Sequence, residues 1–271
     1  VWTTSLDLTG EIIWQRKISD YAVHQGFGAS PAIYGDLVIV SADNKGGGVI
    51  VGLERKTGVQ RWRHARPEKP NYSSPIIVDA VSRKQLILTG CDLVTSLDPL
   101  TGKTLWSIAG ATTECVTSPV TDGERIFTSG GYPKNHISAV AADGSGEIVW
   151  ENNLRAYVPS MLHRDGYLFL VLDAGVATCL RSSDGVEMWK VRLGGTFSSS
   201  PVLVGELIFA VNEEGEGHVF KANPERFERV AENQLGDSVF ATPTICGSRI
   251  YLRVGQYEDG KRQEYVYCLG Q

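Results

Sequence analysis

One short pattern recurs along the chain, and it limits the possible folds more than any other feature. An acid or polar residue, a turn containing Gly, and a Trp follow one another in "LDLTGEIIW" ending at Trp14. The pattern returns in "LERKTGVQRW" at Trp62, "LDPLTGKTLW" at Trp106, "AADGSGEIVW" at Trp150 and "LRSSDGVEMW" at Trp189. A worn copy, "KANPERFERV", puts Val230 in the Trp position, so successive copies lie 48, 44, 44, 39 and 41 residues apart. Self-similarity at this period points to a repeat architecture.

A second mark lies between the copies: a polar residue, a Pro and an apolar run. It occurs at Pro31, Pro75, Pro119, Pro201 and Pro243, and around Pro159 with a one-residue slip. After each Pro come a turn and a β-rich run such as "LVIVSA" or "YLFLVL". A third run then ends at the acid-and-Gly turn, and a fourth carries the Trp. Four short strands per unit, alternating residues and no room for a helix are the marks of a β-propeller blade. The 30 glycines fit a chain made of turns and short strands. The predicted fold is therefore all-β, a β-propeller of four-stranded antiparallel blades forming a single domain over residues 1–271.

The six Pro marks count six first strands, hence six blades. The last unit ends at its third strand, and "EIIWQRK" near the N-terminus reads as a fourth strand. The residues before it, "VWTTSLD", read as the third strand of an earlier blade, so the chain is either a closed six-bladed ring with an extra segment or, the favoured reading, part of a seven- or eight-bladed ring lacking its N-terminal portion. A fourth strand added to the last blade would remove exposed sheet edges.

The turn has a physical reading of its own. In "LDPLTGKTLW", Asp98 can accept hydrogen bonds from nearby backbone N–H groups. Gly102 can take the positive φ of a tight hairpin, and Trp106 can bury its ring against the next blade. The alternative is a cation at the acid or a cofactor stacked on the Trp. Recurrence favours structure, because a cofactor needs one set of ligands and a fold needs one docking residue per blade. The docking set is Trp14, Trp62, Trp106, Trp150 and Trp189, with Gly10, Gly58, Gly102, Gly146 and Gly185.

The pattern D-x-x-T-G-x-x-x-W with a following S-P strand resembles the repeat of the pyrroloquinoline quinone (PQQ)-type propellers. That group includes the quinoprotein alcohol dehydrogenases. It also includes non-catalytic relatives such as BamB, the propeller lipoprotein of the outer-membrane β-barrel assembly machinery. The resemblance covers Leu6 to Gly270. The dehydrogenases carry an adjacent Cys-Cys pair over the quinone and an acidic and Asn set around calcium. This chain has no Cys-Cys pair and no clear calcium-ligand set, so neither PQQ nor calcium is expected. The resemblance implies a place outside the cytoplasm, periplasmic or anchored to an envelope membrane.

Other chemistry finds little support. The charge of −5, from 26 basic and 31 acidic residues, gives no reason to expect nucleic acid. No run of about 18 apolar residues suggests a transmembrane helix. His24, His64, His136, His163 and His218 form no metal-binding motif, and no G-x-S-x-G is present. Cys91, Cys115, Cys179, Cys246 and Cys268 read as structural thiols; "TCL" and "YCL" suggest that Cys179 and Cys268 are small buried residues. "NYS" at Asn71 is a glycosylation sequon on paper.

A binding site is expected where the copies differ, in the loop before each Pro strand, at one mouth of the channel. The candidates are His24, Gln25, Tyr72, Glu114, Arg155, Tyr157, Phe197 and Asp237, with Phe27 and Phe240 beside them. The first reading is a monomeric, non-enzymatic scaffold for protein-protein or ligand binding in the bacterial cell envelope, with a protein or peptide as the expected partner. The alternatives are a quinoprotein oxidoreductase module and a ligand-sensing domain of a signalling protein.

Overall fold

The computed structural model describes residues 1–21, 23 and 25–270. Strands and turns make up all the regular structure among them. The chain forms two compact units, Val1–Leu154 and Arg155–Gln271.

The first unit opens with β1 (Trp2–Leu6) and β2 (Ile12–Lys17), paired antiparallel. Three four-stranded sheets follow. One is β3 (Ala32–Tyr34), β4 (Leu37–Ala42), β5 (Gly48–Glu54) and β6 (Gln60–Arg66). The next is β7 (Ile76–Ala80), β8 (Arg83–Gly90), β9 (Leu93–Leu97) and β10 (Thr104–Ala109). The third is β11 (Val120–Thr121), β12 (Arg125–Gly130), β13 (His136–Ala141) and β14 (Ile148–Asn152).

The second unit holds two more such sheets and one of three strands. They are β15 (Leu162–Arg164), β16 (Tyr167–Leu172), β17 (Val176–Arg181) and β18 (Glu187–Arg192), then β19 (Val202–Val204), β20 (Leu207–Val211), β21 (Glu216–Lys221) and β22 (Arg229–Gln234). The last is β23 (Thr244–Cys246), β24 (Arg249–Glu258) and β25 (Lys261–Leu269). Each strand pairs antiparallel with its sequence neighbour, so every sheet is a meander. The six predicted first strands are β3, β7, β11, β15, β19 and β23.

Burial explains the sequence pattern. Middle strands pack on both faces and read as continuous apolar runs, as in "YLFLVL" of β16, where five of six residues are buried. Fourth strands are mostly exposed, and the residue they bury is chiefly the Trp. In β2 that is Trp14 alone.

A register shift precedes each Trp. Gly52 pairs with Trp62 and Leu53 with Gln60, leaving Arg61 as the extra residue of a bulge. Cys179 pairs with Trp189 and Leu180 with Glu187. In β22, Val219 pairs with Ala231 and Phe220 with Arg229. The residue in the Trp position is therefore Ala231, and Val230, half exposed, is the bulge residue. The aligned letters had Val230 one place early, because only the pairing fixes which residue faces inward.

The Pro marks also have a structural cause. Ser30 N–H donates to Ser74 Oγ at 2.8 Å, Ser160 N–H to Ser200 Oγ at 3.0 Å, and Ser200 N–H to Thr242 Oγ1 at 3.0 Å. These hydroxyls stand just before the first strand, and Pro follows at every one except Ser160, which Met161 follows. Pro159 therefore lies two residues from the equivalent position, not one.

The cysteines divide. Cys91, Cys115 and Cys179 are buried, whereas Cys246 and Cys268 are exposed, and all five are free. Cys179 lies in the core shared by β15–β18 and β19–β22. Cys268 was expected to match it, but it sits on the last sheet of its unit, where no further sheet of that unit covers it.

Candidate functional site

The segments joining each fourth strand to the next first strand carry the predicted binding residues. In the first unit they are held by a buried ion pair. Arg66, at the end of β6, grips Asp43 with two parallel bonds, Nε to Oδ1 at 3.1 Å and Nη2 to Oδ2 at 2.9 Å. The two side chains are 1% and 2% exposed. Burial alone would lower the guanidinium pKa, but Asp43 outweighs it and holds the group above its ordinary value.

Asn71 extends the network. Its Nδ2 donates to Asp43 Oδ2 and to Thr89 O, and its Oδ1 accepts Cys115 N–H at 3.0 Å. Asn71 is buried, with both amide atoms engaged, so the sequon is no acceptor in the folded chain. Nearby, Ser73 Oγ donates to Thr117 O, and Thr117 Oγ1 to Ser129 O. These bonds run across three sheets and give Arg66, Asp43, Asn71, Ser73 and Thr117 partners in the interior.

In the second unit the turns between middle strands do the same work. Asp173 accepts the N–H groups of Tyr157 at 2.8 Å and Val158 at 3.2 Å. Glu213 Oε1 accepts from Ser198 Oγ, and its carbonyl accepts Val239 N–H at 3.0 Å. Asp237 Oδ2 accepts Tyr257 N–H at 2.8 Å. The joining segments are thus pinned by Asp173 and Glu213 on neighbouring turns, and the last of them by its own Asp237.

The predicted residues fall into groups. Tyr72 and Phe197 are buried, at 7% and 1% exposure, so their rings pack in the interior and present nothing to a ligand. Both stood in a variable loop, but each precedes a Ser-containing step that enters the core. Glu114 and Tyr157 are partly exposed, while Gln25, Arg155 and Asp237 are open to solvent. His24 lies outside the described residues.

Phe240 is 53% exposed. With Ser238, Ala241, Arg253, Arg262 and Glu264 it lines a pocket of about 310 Å³. Glu264 accepts from Arg253 Nε at 3.1 Å and pairs with Arg262 Nε at 2.8 Å. The ring thus lies beside a cluster of two cations and one anion. Sequence reading missed these three charges. Their one signal is length, since β24 and β25 run to 10 and 9 residues and extend beyond the ordinary blade strand.

The docking residues form a second set. Gly10, Gly58, Gly102, Gly146 and Gly185 all have positive φ, between 66° and 92°. Trp14 Nε1 donates to Arg55 O at 2.9 Å, and Trp189 Nε1 to Asn223 O at 2.8 Å, each on the following sheet. Trp106 instead donates to Gln85 Oε1 at 2.8 Å. Gln85, wholly buried, also accepts from Ser96 and donates to Ala80 O and Ala142 O. At the turns, Asp7 accepts Thr9 and Glu11 N–H groups, and Asp98 accepts those of Leu100 and Thr101. Trp150 lies 6.1 Å from the Phe127 ring, centroid to centroid.

The repeat matches a family model described as outer membrane protein assembly factor BamB, over residues 4–134 and 133–230. This chain belongs to that family. Its fold is the BamB-like, PQQ-like β-propeller of four-stranded antiparallel blades. The crystal structure of BamB from Moraxella catarrhalis is similar, with a TM-score of 0.74 and 17% identity over 93% of this chain and 76% of that one. A computationally designed protein, Ika8, has a TM-score of 0.66 and 12% identity, covering 96% of this chain and 75% of its own. At these identities the likeness is one of fold. No curated protein matched in sequence. No helix among the described residues is long and apolar enough to cross a membrane.

Proposed function

We propose that this BamB-family chain is a non-enzymatic scaffold that holds a protein or peptide partner on exposed joining segments. It acts as a monomer and a single propeller domain, outside the cytoplasm in the bacterial envelope. The observation that carries the reading is the family match over most of the chain. The family is that of an outer membrane protein assembly factor, and a role beside that process is part of the proposal.

The side chains support binding rather than catalysis. Asp43, Asp173 and Asp237, three acids bonded to or lying within the joining segments, are each engaged by a guanidinium or by backbone N–H groups. None is left poised for proton transfer. The sequence has no adjacent Cys pair to cover PQQ. Exposed Gln25, Phe27, Arg155, Asp237 and Phe240 offer the mix of aromatic and charged groups that protein interfaces favour.

The test is site-specific photo-crosslinking in cells, with the crosslinker at Gln25, Arg155 or Phe240 and, as controls, at exposed Ile148 and Met188 on fourth strands. Crosslinks to envelope proteins from the first set alone are expected, and Phe240→Ala should weaken them. Crosslinks from both sets alike would overturn the site. Tight PQQ and calcium binding with alcohol-dependent dye reduction would overturn the non-enzymatic reading.

A further inference from the structure

The blades of the second unit differ at one seam. Between β15–β18 and β19–β22, a row runs across the strands through Phe169, Cys179 and Trp189. The Trp189 ring packs 6.2 Å from Phe169, 6.4 Å from Phe220 and 5.6 Å from Phe227, centroid to centroid. Ile208 and Phe220, paired with each other, face it from the following sheet.

At the next seam the equivalent row is Phe209, Val219 and Ala231. Ile250 and Leu269, paired with each other, hold the places of Ile208 and Phe220. The scaffold around the Trp position is therefore kept, while the indole itself is replaced by a methyl group. Phe209, Val219, Ile250 and Leu269 all line a cavity of about 350 Å³. It continues past Gly217, which has no side chain to fill it, to Asn233.

We propose that this seam is a binding site for a planar aromatic ligand of indole size. Aliphatic walls, a Phe ring to stack against, and two polar side chains, the His218 imidazole and the Asn233 amide, suit such a group. An apolar cavity of about 150 Å³ in another protein already takes up benzene. Trp14, Trp62, Trp106 and Trp189 show that the space between two blades accepts an indole in this row. A free ligand would complete the packing that the chain elsewhere completes with its own side chain.

The test is thermal unfolding of the full chain with and without indole, on the native protein and on Ala231→Trp and Ala231→Leu. Indole at a hundredfold excess over its Kd should raise the native midpoint on the order of 5 °C. Ala231→Trp should raise the midpoint unaided and abolish the response to indole, and Ala231→Leu should reduce that response. No indole shift in the native protein, or an equal shift in Ala231→Trp, overturns the proposal. Destabilisation by both variants shows that the row has no room and overturns it as well.

Discussion

The Trp62 ring lies against Gly102 of the next sheet so closely that a Cβ there would sit 2.4 Å from Trp62 Cε3. The same residue has φ of +66°. Gly58 stands in the same relation to Trp14, with a Cβ distance of 2.6 Å. In these two turns the glycine thus has two duties, to reverse the chain and to receive the preceding Trp.

Gly102→Ala should therefore cost about 3 kcal/mol, from the left-handed backbone and the clash together. Gly10→Ala, at φ +92° with no atom within 4 Å of the added Cβ, meets only the backbone penalty. Urea midpoints of the two variants check this. Equal losses would show that the Trp contact contributes nothing.

Asp43→Ala leaves Arg66 charged, buried and without its bidentate partner. A loss of roughly 3–5 kcal/mol is expected. The double variant Asp43→Leu/Arg66→Met removes both charges and should recover most of that loss. A single variant close to native stability in denaturant titration would contradict this account of the joining segments.

His218 gives the fold a dependence on pH. Burial lowers its pKa first and most; Arg229 acts in the same direction, and Glu232 and Glu216 oppose. In the unfolded chain the imidazole titrates near its ordinary value of 6.5. Below that pH the unfolded state takes up a proton that the folded state resists, so stability rises with pH through this range and falls as pH drops below it. His218→Phe should flatten the curve of stability against pH below about 6.5; an unchanged slope would rule His218 out as its source.

The thiols should separate by reactivity. Burial pushes Cys91 and Cys179 up to about 12 and raises Cys115 as well, so their thiolates are scarce at neutral pH. A thiol reagent at pH 8 should modify Cys246 and Cys268 in the native protein and all five cysteines after denaturation. Rapid native labelling of Cys91 would show that the Asp43 network opens.

The repeat made most of the fold legible, because Trp, Gly and Pro each mark a position that backbone geometry demands in every copy. It was least reliable where a copy lost its mark. Val230 was placed one residue from the true position because the turn before it is longer than in the other copies, so that Val230 is itself the bulge residue and Ala231 faces inward. Tyr72 and Phe197 illustrate a different limit. Their loops vary between copies, but variation does not say which side chains turn inward. The Asp43–Arg66–Asn71 network was not legible at all, since its members lie 5 to 28 residues apart and match no spacing rule.

The hydroxyl relay before the first strands has a consequence for how such a chain changes over time. Ser200 gives its N–H to Thr242 and takes the N–H of Ser160, so its repeat carries both a plug and a socket of the same kind. Duplicating or deleting one whole repeat leaves every plug facing a socket. A cut within a repeat strands one of each. Inheritance can therefore lengthen or shorten this protein cheaply only in steps of one blade, while the exposed segments between blades drift toward new partners.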